Sequence, residues 1–170
     1  MITRLLYAIL FLLPCLLQTS CGTSEEPTKM EDRVMDGANL LTTDEETRLF
    51  WIVQELERKV GSQLAIVTLD SLNGVAIEKY SLNKLNEMSL GRDQYYDGVL
   101  ITVALRNKEM RIEVGWGLER ILTNEKAERI NLKLMAPRFR EKKFYEGLRA
   151  AAGAITLLIE ENKDRIRKRR

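Results

Sequence analysis

The sequence predicts an α/β domain, a three-layer α/β/α sandwich whose small mixed sheet combines a parallel βαβ unit with an antiparallel edge hairpin. Two continuous apolar runs, Leu64–Leu69 and Gly98–Leu105, are typical of strands covered on both faces. A helical pattern separates them, so these two strands should run parallel. The third strand, Met110–Val114, alternates apolar with charged residues and follows after only four residues, which favours an antiparallel edge strand.

A first helix is predicted before the sheet. Thr43 and Glu46, three residues apart, have the spacing of a capping box, and Gly61 is a helix stop. Its apolar stripe consists of Leu49, Ile52, Val53, Leu56 and Val60. This helix should therefore begin near residue 43 and pack one face against the sheet.

Three further helices are predicted. The helix between the parallel strands lies within residues 75–91, with Ile77, Tyr80, Leu85 and Met88 on one side. Another begins near Thr123, and Pro137 should interrupt it. The last begins near Phe144 and runs to Ile159, and its small residues would let it lie close to the sheet.

The first 21 residues predict a signal segment rather than part of the fold. An apolar run follows Arg4 and is too short for a confident membrane span. "LLQTSC" ends in Cys21, so we expect a lipoprotein signal with a lipidated Cys21; an ordinary cleaved signal and an uncleaved anchor are the alternatives. The predicted divisions are residues 1–21 for the signal, 22–33 for a polar tether, 34–163 for the domain and 164–170 for a basic tail.

Composition excludes several kinds of chemistry. The chain contains no histidine, and its two cysteines, Cys15 and Cys21, both lie in the signal segment. A mature domain without either residue type has no disulfide, no thiol nucleophile and no His-ligated metal. Any protein metal site must then consist of oxygen ligands, which favour calcium or magnesium. Removing the signal lowers the net charge from +2 to +1, so no nucleic-acid partner is indicated.

The basic stretch Lys163–Arg170 carries six basic residues against one acid. It has two interpretations. Basic residues suit a solvated helix end, and they also suit contact with anionic lipid or with a partner protein.

Asp97 and Glu119 are the main candidate site residues. Asp97 precedes the first strand of the predicted hairpin and Glu119 follows the second, so both should lie at one edge of the sheet. Residues 61–63 and Asp93 should lie nearby. Carboxylates brought together repel one another unless a charge neutralises them. A hard cation held by Asp97, Glu119 and Asp93 is one answer, and ion pairs with Arg92 or Arg120 are the other.

The stretch "GWGLER" has a nucleotide-binding alternative, which we reject. It lacks the third glycine of the dinucleotide fingerprint and follows an antiparallel edge strand. Trp116, between the two glycines, is either a packed wedge or an exposed contact.

In order, the motifs "VMDGANLLTTDEETRL", "GSQLAIVTLDSLNG", "YYDGVLITVALRNKEMRIEVGWGLERILTNEKA" and "MAPRFREKKFYEGL" resemble the TPM domain over about residues 34–159. This family occurs in bacterial envelope proteins and in thylakoid-lumen proteins linked to photosystem II repair. The resemblance implies an extracytoplasmic, membrane-tethered α/β/α domain associated with calcium binding and, in some members, acid phosphatase activity. It places Asp97, Glu119 and Asp36 at acidic positions of the family motifs. The family often has a second acid directly before the position of Asp97, where this chain has Tyr96. This difference favours Asp93 as the second acid of a metal site.

These observations lead to three functional hypotheses. The first is a lipid-anchored module, facing the periplasm or exterior, that binds calcium and acts by protein interaction or by assembly and repair of membrane complexes. Its metal ligands would be Asp97, Glu119, Asp93 and Asp36, and its partners the membrane and an envelope protein. The second is a metal-dependent acid phosphatase using Asp93 or Asp97. The third is a structural module without a ligand.

Overall fold

The computed structural model describes residues 29–169 of the chain. The predicted signal, Cys21 and most of the predicted tether lie outside this range. The helices are α1 (Thr43–Val60), α2 (Ile77–Glu87), α3 (Asn124–Ile130), α4 (Ala136–Arg140) and α5 (Phe144–Glu161). The strands are β1 (Val34–Asp36), β2 (Gln63–Leu69), β3 (Gly98–Ala104) and β4 (Glu109–Val114).

The four strands form one mixed sheet in the order β1-β2-β3-β4. β2 pairs in parallel with β3 from Gln63 opposite Gly98, and β4 pairs antiparallel with β3. The parallel unit and the antiparallel edge hairpin are therefore confirmed. The strand β1, parallel to β2, was not predicted. Its three residues are too few for a periodic pattern to show, and only the register with β2 defines them as a strand.

The sheet has helices on both faces, as the three-layer prediction requires. One face carries α1, α5 and the α3–α4 segment, whose buried side chains join those of the strands in one large core; Leu56, Ile101 and Ile155 are examples. The other face carries α2, where Leu85 packs with Val67 and Leu100. Successive strand residues alternate between the two cores, because side chains alternate across a sheet. Within residues 29–169, no helix is long and apolar enough to cross a membrane.

The start of α1 differs from the prediction by one residue. Thr42, not Thr43, is the N-cap, and its hydroxyl accepts a hydrogen bond from the Glu45 N–H. The Glu45 carboxylate in turn accepts from the Thr42 N–H at 2.8 Å, which completes the capping box. Consecutive threonines followed by consecutive acids give two equivalent registers in the sequence, and only the backbone geometry selects between them.

Pro137 does not end the third predicted helix. The helical path continues from α3 through a π-helical segment, Asn131–Met135, into α4, which carries Pro137 in its first turn. The Ala136 N–H donates to the Asn131 carbonyl, five residues back. Since proline lacks an N–H and its ring crowds the carbonyl four residues earlier, the wider turn lets the chain pass it without a break.

Candidate functional site

The segments that carry Asp97, Glu119 and residues 61–63 meet at one edge of the sheet, as the hairpin pattern predicts. We call this surface the loop edge and define it as residues 61–63, 91–97 and 115–119. Two backbone bonds hold it together. The Gln63 N–H donates to the Asp97 carbonyl, and the Gly115 N–H donates to the Gly98 carbonyl at 2.8 Å. The beginnings of β2 and β3 and the end of β4 therefore meet here, as hairpin geometry predicts.

Asp97 is fully buried and fully engaged in hydrogen bonds. One carboxylate oxygen accepts from the Arg92 backbone N–H at 2.8 Å. The other accepts from the Ser62 hydroxyl at 2.9 Å and from Arg92 Nε at 3.0 Å. A buried carboxylate is tolerated only when its charge is paired and its oxygens are bonded, and Asp97 meets both conditions. The sequence left open whether a cation or an arginine neutralises Asp97, and in the structure Arg92 does so.

Glu119 is also paired with arginine, but with one that the sequence did not indicate. Its side chain is 58% exposed, and Arg167 Nη2 lies 2.8 Å from its carboxylate. The same guanidinium donates to the Trp116 carbonyl and lies 3.9 Å over the Trp116 ring. Arg120, the partner proposed from sequence, forms no ion pair within residues 29–169.

The segment 163–169, which we call the basic segment, lies across the loop edge. Helix α5 ends at Glu161, and a short 3-10 turn, Lys163–Arg165, redirects the chain. The Arg167 N–H then donates to the Gly117 carbonyl, and the Arg169 N–H donates to the Gln94 carbonyl at 2.8 Å. The backbone N–H groups of two alternate residues therefore bond two different loops, the one after β4 and the one before β3. A solvated helix end, one of the two sequence interpretations, does not describe this segment.

Each of three consecutive basic residues also lies over an aromatic ring. Arg167 covers Trp116, Lys168 lies 5.6 Å from the Tyr95 ring, and Arg169 lies 5.6 Å from the Tyr96 ring. Cations within about 6 Å of a ring centroid are attracted by the ring quadrupole. Trp116 and Tyr96 nevertheless remain 42% and 43% exposed. Trp116 is thus an exposed contact rather than a packed wedge.

The glycines of "GWG" serve close backbone packing. A Cβ on Gly115 would lie 2.2 Å from the Tyr96 carbonyl oxygen, and a Cβ on Gly117 would lie 2.0 Å from that of Tyr95. Any side chain at either position would clash with main-chain atoms that cannot move aside. The glycines therefore let the turn after β4 lie directly on the loop before β3, and this contact places the aromatic rings side by side.

A cleft of about 470 Å³ opens beside the basic segment, between α2 and the end of β4. Three carboxylates line it: Asp93, Glu113 and Glu119. Glu113 is bonded to Arg111 Nε at 2.6 Å, whereas Asp93 is exposed and forms no ion pair within residues 29–169. Despite these acids, no group of three or more carboxylates in that range is close enough to hold a metal ion.

Asp36, the fourth predicted ligand, lies away from the others. It ends β1 opposite Thr68, near the far end of β2. Its carboxylate accepts from the Thr68 hydroxyl and from the Leu41 N–H at 2.8 Å. Asp36 therefore braces the turn that leads into α1, and the structure brings together only Asp97, Glu119 and Asp93.

Two residues that contribute contacts at this surface were not named from sequence: Tyr95 in the loop edge and Arg167 in the basic segment. The Tyr95 ring has two cations close to it: the Arg92 guanidinium lies 4.1 Å from its centroid and the Lys168 amine lies 5.6 Å from it. The available signal was the run "RKRR" taken together with the tyrosines of "YYDG", because consecutive cations and clustered aromatic residues attract one another. Nothing in the sequence places residue 167 beside residue 116.

Comparison with known proteins gives a family and a fold. The family model of the TPM domain matches residues 34–157. No curated protein matches the chain. The solution structure of the N-terminal domain of a protein from P. gingivalis is similar at a TM-score of 0.72 and 25% identity, covering 81% of this chain and 87% of that one.

Two further solution structures share the fold at lower identity. The N-terminal domain of a Corynebacterium glutamicum protein has a TM-score of 0.61 at 15% identity, covering 79% of this chain and 84% of its own. The BA42 protein of the psychrophilic bacterium Bizionia argentinensis has a TM-score of 0.62 at 16% identity, covering 71% and 82%.

Proposed function

Because this chain belongs to the TPM domain family, we propose that it is a cell-envelope binding module. Its loop edge would receive an extended, arginine-bearing basic segment of a partner protein. One observation carries the proposal: the loop edge holds the chain's own residues 167–169 by alternate backbone bonds and by three cation–aromatic contacts. A surface that holds one such segment has the chemistry to hold another.

The charges and backbone groups at the loop edge support this choice of partner. Glu119 supplies a partly exposed carboxylate. The Gly117 and Gln94 carbonyls accept hydrogen bonds from N–H groups that lie two residues apart along the bound segment. Planar guanidinium groups pair with carboxylates and stack on aromatic rings better than lysine does. We therefore expect the preferred sequence to carry arginine at alternate positions, as Arg167 and Arg169 do.

The resident segment would compete with an incoming one. A tethered segment has an effective concentration in the millimolar range, so it reduces the apparent affinity of any free ligand. A variant with Arg167, Lys168 and Arg169 all changed to serine should therefore bind a labelled peptide of residues 163–169. The unsubstituted chain should bind the same peptide at least about tenfold more weakly. Fluorescence anisotropy of the labelled peptide measures both affinities.

Matched variants identify the contacts. In the serine-substituted background, Trp116→Ala and Glu119→Gln should each weaken peptide binding by about tenfold, since each removes a contact that Arg167 makes. Trp51→Ala is the control, because Trp51 is exposed on α1, away from the loop edge. Equal peptide affinity in all four proteins would rule out the loop edge as the receptor.

The existence of a partner protein needs an experiment in the native envelope. A photo-crosslinking amino acid at Tyr96, which is exposed beside the bound segment, should give an adduct with a single protein. The same amino acid at Trp51 should not. If both positions give the same adducts, the contact is not specific to the loop edge.

The membrane anchor is proposed from the sequence alone. Lipid on Cys21 would hold the domain to a membrane surface, facing the periplasm or exterior. A clickable fatty-acid analogue should label the chain in cells, and Cys21→Ser should abolish the labelling. Cys15→Ser should leave the labelling unchanged, because Cys15 would be removed with the signal. Persistent labelling of the Cys21→Ser protein would contradict the proposal.

Calcium binding is the second candidate function, and it rests on the three carboxylates that line one cleft. Within residues 29–169 these carboxylates do not already lie close enough together to hold a metal ion, so their side chains would have to move toward the cation. Asp97 does not fit the role of ligand, because both its oxygens accept hydrogen bonds and its side chain is fully buried. Asp93, Glu113 and Glu119 fit it better as oxygen donors, although a cation would have to displace Arg111 and Arg167 from two of them.

Calorimetry tests this candidate directly. If the cleft binds calcium, the heat of titration should be lost in the double variant Asp93→Asn/Glu119→Gln and retained in Asp36→Asn. No heat with calcium or magnesium would remove the candidate. A metal-dependent acid phosphatase is the remaining alternative, with Asp93 as the accessible nucleophile; release of phosphate from an aryl phosphate that survives Asp93→Asn would remove it. If the chain binds neither the basic peptide nor calcium or magnesium, and does not hydrolyse an aryl phosphate, the hypothesis of a structural module without a ligand remains.

A further inference from the structure

A second cleft, of about 640 Å³, lies at the end of the sheet opposite the loop edge. We call it the apolar cleft. Its floor consists of Val103, Met110, Phe139 and Phe144, and the two phenylalanine rings meet at 5.3 Å between centroids. Its volume falls within the range of small-molecule sites, which are typically apolar with a few polar groups placed around them.

Three cationic side chains stand at the rim of the apolar cleft: Lys108, Arg140 and Lys142. All three are exposed, and none forms an ion pair or a side-chain hydrogen bond within residues 29–169. Their neighbour Lys143 differs, because it pairs with Glu141 at 2.7 Å. One carboxylate, Glu109, also lines the cleft, so the rim has three positive charges against one negative.

The two rim lysines are held in an uncommon backbone conformation. Lys108 has φ of 56° and Lys142 has φ of 60°, in the left-handed region that side-chain-bearing residues rarely adopt. Each is fixed by a backbone bond: the Lys108 N–H donates to the Leu105 carbonyl, and the Lys142 N–H to the Phe139 carbonyl. Two turns from different parts of the chain thus present an amine to the same cleft.

We propose that the apolar cleft binds an amphiphilic anion of small-molecule size. Its hydrocarbon part would lie on the floor formed by Val103, Met110, Phe139 and Phe144. Its negatively charged head would lie among Lys108, Arg140 and Lys142. An apolar floor alone would accept a neutral hydrophobe, and the unpaired cations alone would accept any anion. Their combination selects a molecule that carries both parts.

Dodecanoate, below its micellar concentration, is the probe that tests this site. The chain from residue 22 is suitable, because it keeps every residue that the structure describes, and the core side chains among those residues lie between positions 34 and 166. Calorimetry should detect one molecule bound per chain. Affinity should fall by about fourfold for each methylene removed along the series to octanoate. Dodecanol, which lacks the charge, should bind at least about tenfold more weakly than dodecanoate.

Charge-removing variants locate the head group. Asparagine tolerates positive φ, so Lys108→Asn and Lys142→Asn remove charge without straining the turns. Each of these variants, and Arg140→Gln, should weaken dodecanoate binding by about twofold to fivefold, and the triple variant by about tenfold or more. Lys79→Asn is the control, since Lys79 lies on α2 across the sheet.

Three outcomes would overturn the proposal. Equal binding of dodecanol and dodecanoate, or equal affinity in the triple variant and the Lys79 control, would show that the rim does not recognise a charge. Vesicles of zwitterionic lipid containing an anionic phospholipid form the second arm. If the three cations govern vesicle binding while monomeric dodecanoate does not bind, the region contacts a membrane surface and is not a small-molecule site.

Discussion

The Arg92 guanidinium covers the buried Asp97 carboxylate, with Arg92 Nε 3.0 Å from Asp97 Oδ2. The two residues are only five positions apart, and the Arg92 backbone N–H bonds the other carboxylate oxygen. The pair therefore closes the loop before β3 into a ring, and Ser62 ties that ring to the start of β2. Asp97, which the sequence offered either as a metal ligand or as an arginine partner, thus holds the shape of the loop edge.

Replacing Asp97 by asparagine should destabilise the fold by about 1–3 kcal/mol. The variant leaves buried hydrogen-bond donors poorly matched, although Arg92 is 37% exposed, so that solvent offsets part of the lost charge pairing. Urea unfolding measures the difference. Asp93→Asn is the matched control and should change the free energy of unfolding by less than about 0.5 kcal/mol, because Asp93 is exposed. Equal stability of the two variants would contradict a bracing role for Asp97.

The contact of Gly117 with the Tyr95 carbonyl predicts a sharp difference between two glycines. Gly117→Ala should cost about 1–3 kcal/mol, since its Cβ would lie 2.0 Å from a main-chain oxygen. Gly153→Ala, in α5, should stabilise by about 0.5–1 kcal/mol, because the added Cβ would meet no atom within 4 Å outside the adjoining backbone of its own helix and alanine favours helix. Thermal unfolding should thus shift in opposite directions, and a shift in the same direction would refute the argument.

The capping box at Thr42 predicts a difference between adjacent threonines. Thr42→Ala should destabilise the chain by about 1 kcal/mol, because it removes the acceptor for the Glu45 N–H. Thr43→Ala, one residue later and exposed, should change little. Chemical denaturation of both variants checks the register, and a larger effect at Thr43 would restore the capping box that the sequence indicates.

Glu55 provides a pH prediction. Hydrogen bonding from Arg58, with help from Lys59, lowers the pKa of the Glu55 carboxyl to about 2. Since the folded-state pKa lies below the ordinary value, the interaction stabilises the fold fully above that ordinary value. This stabilisation is lost as the pH falls toward about 2. The carboxyl resonance in an NMR titration should therefore shift near pH 2.

Arg58→Gln should move the Glu55 midpoint upward, toward the ordinary value of about 4.3 for glutamate. Arg48→Gln should leave it in place, because Arg48 pairs with Asp44 instead. A Glu55 midpoint that does not respond to Arg58→Gln would contradict the assigned cause.

The main features of the fold could be predicted because they rest on repeated local signals. The runs at β2 and β3 and the alternation in β4 are each long enough to define a strand, and the short link after Leu105 fixes the hairpin. What could not be predicted rests on single contacts. The strand β1 exists through three pairs with β2, and the path past Pro137 depends on a change of hydrogen-bond spacing that no pattern of apolar residues encodes.

The candidate site also has one part that the sequence could predict and another part that it could not. Hairpin geometry correctly places Asp97 beside residues 61–63, because strand pairing alone requires it. Whether Arg92 or a cation neutralises Asp97 depends on side-chain directions in a loop, which the sequence does not determine. The pairing of Arg167 with Glu119 joins residues 48 positions apart. It depends on how the chain turns after α5, so no local pattern reveals it.

The π-helical segment Asn131–Met135 also constrains how this chain can vary by insertion or deletion. A π turn corresponds to one extra residue in an α-helix, so removing one residue there would restore regular spacing. Because the wider turn accommodates the extra residue locally, the residues of α4 would keep their positions around the helix axis after such a deletion. Phe139 would then still pack against the Cβ-free face of Gly147. A relative that lacks one residue at this turn should therefore keep glycine at position 147, whereas a deletion within the regular turns of α5 would rotate its later residues by about 100°.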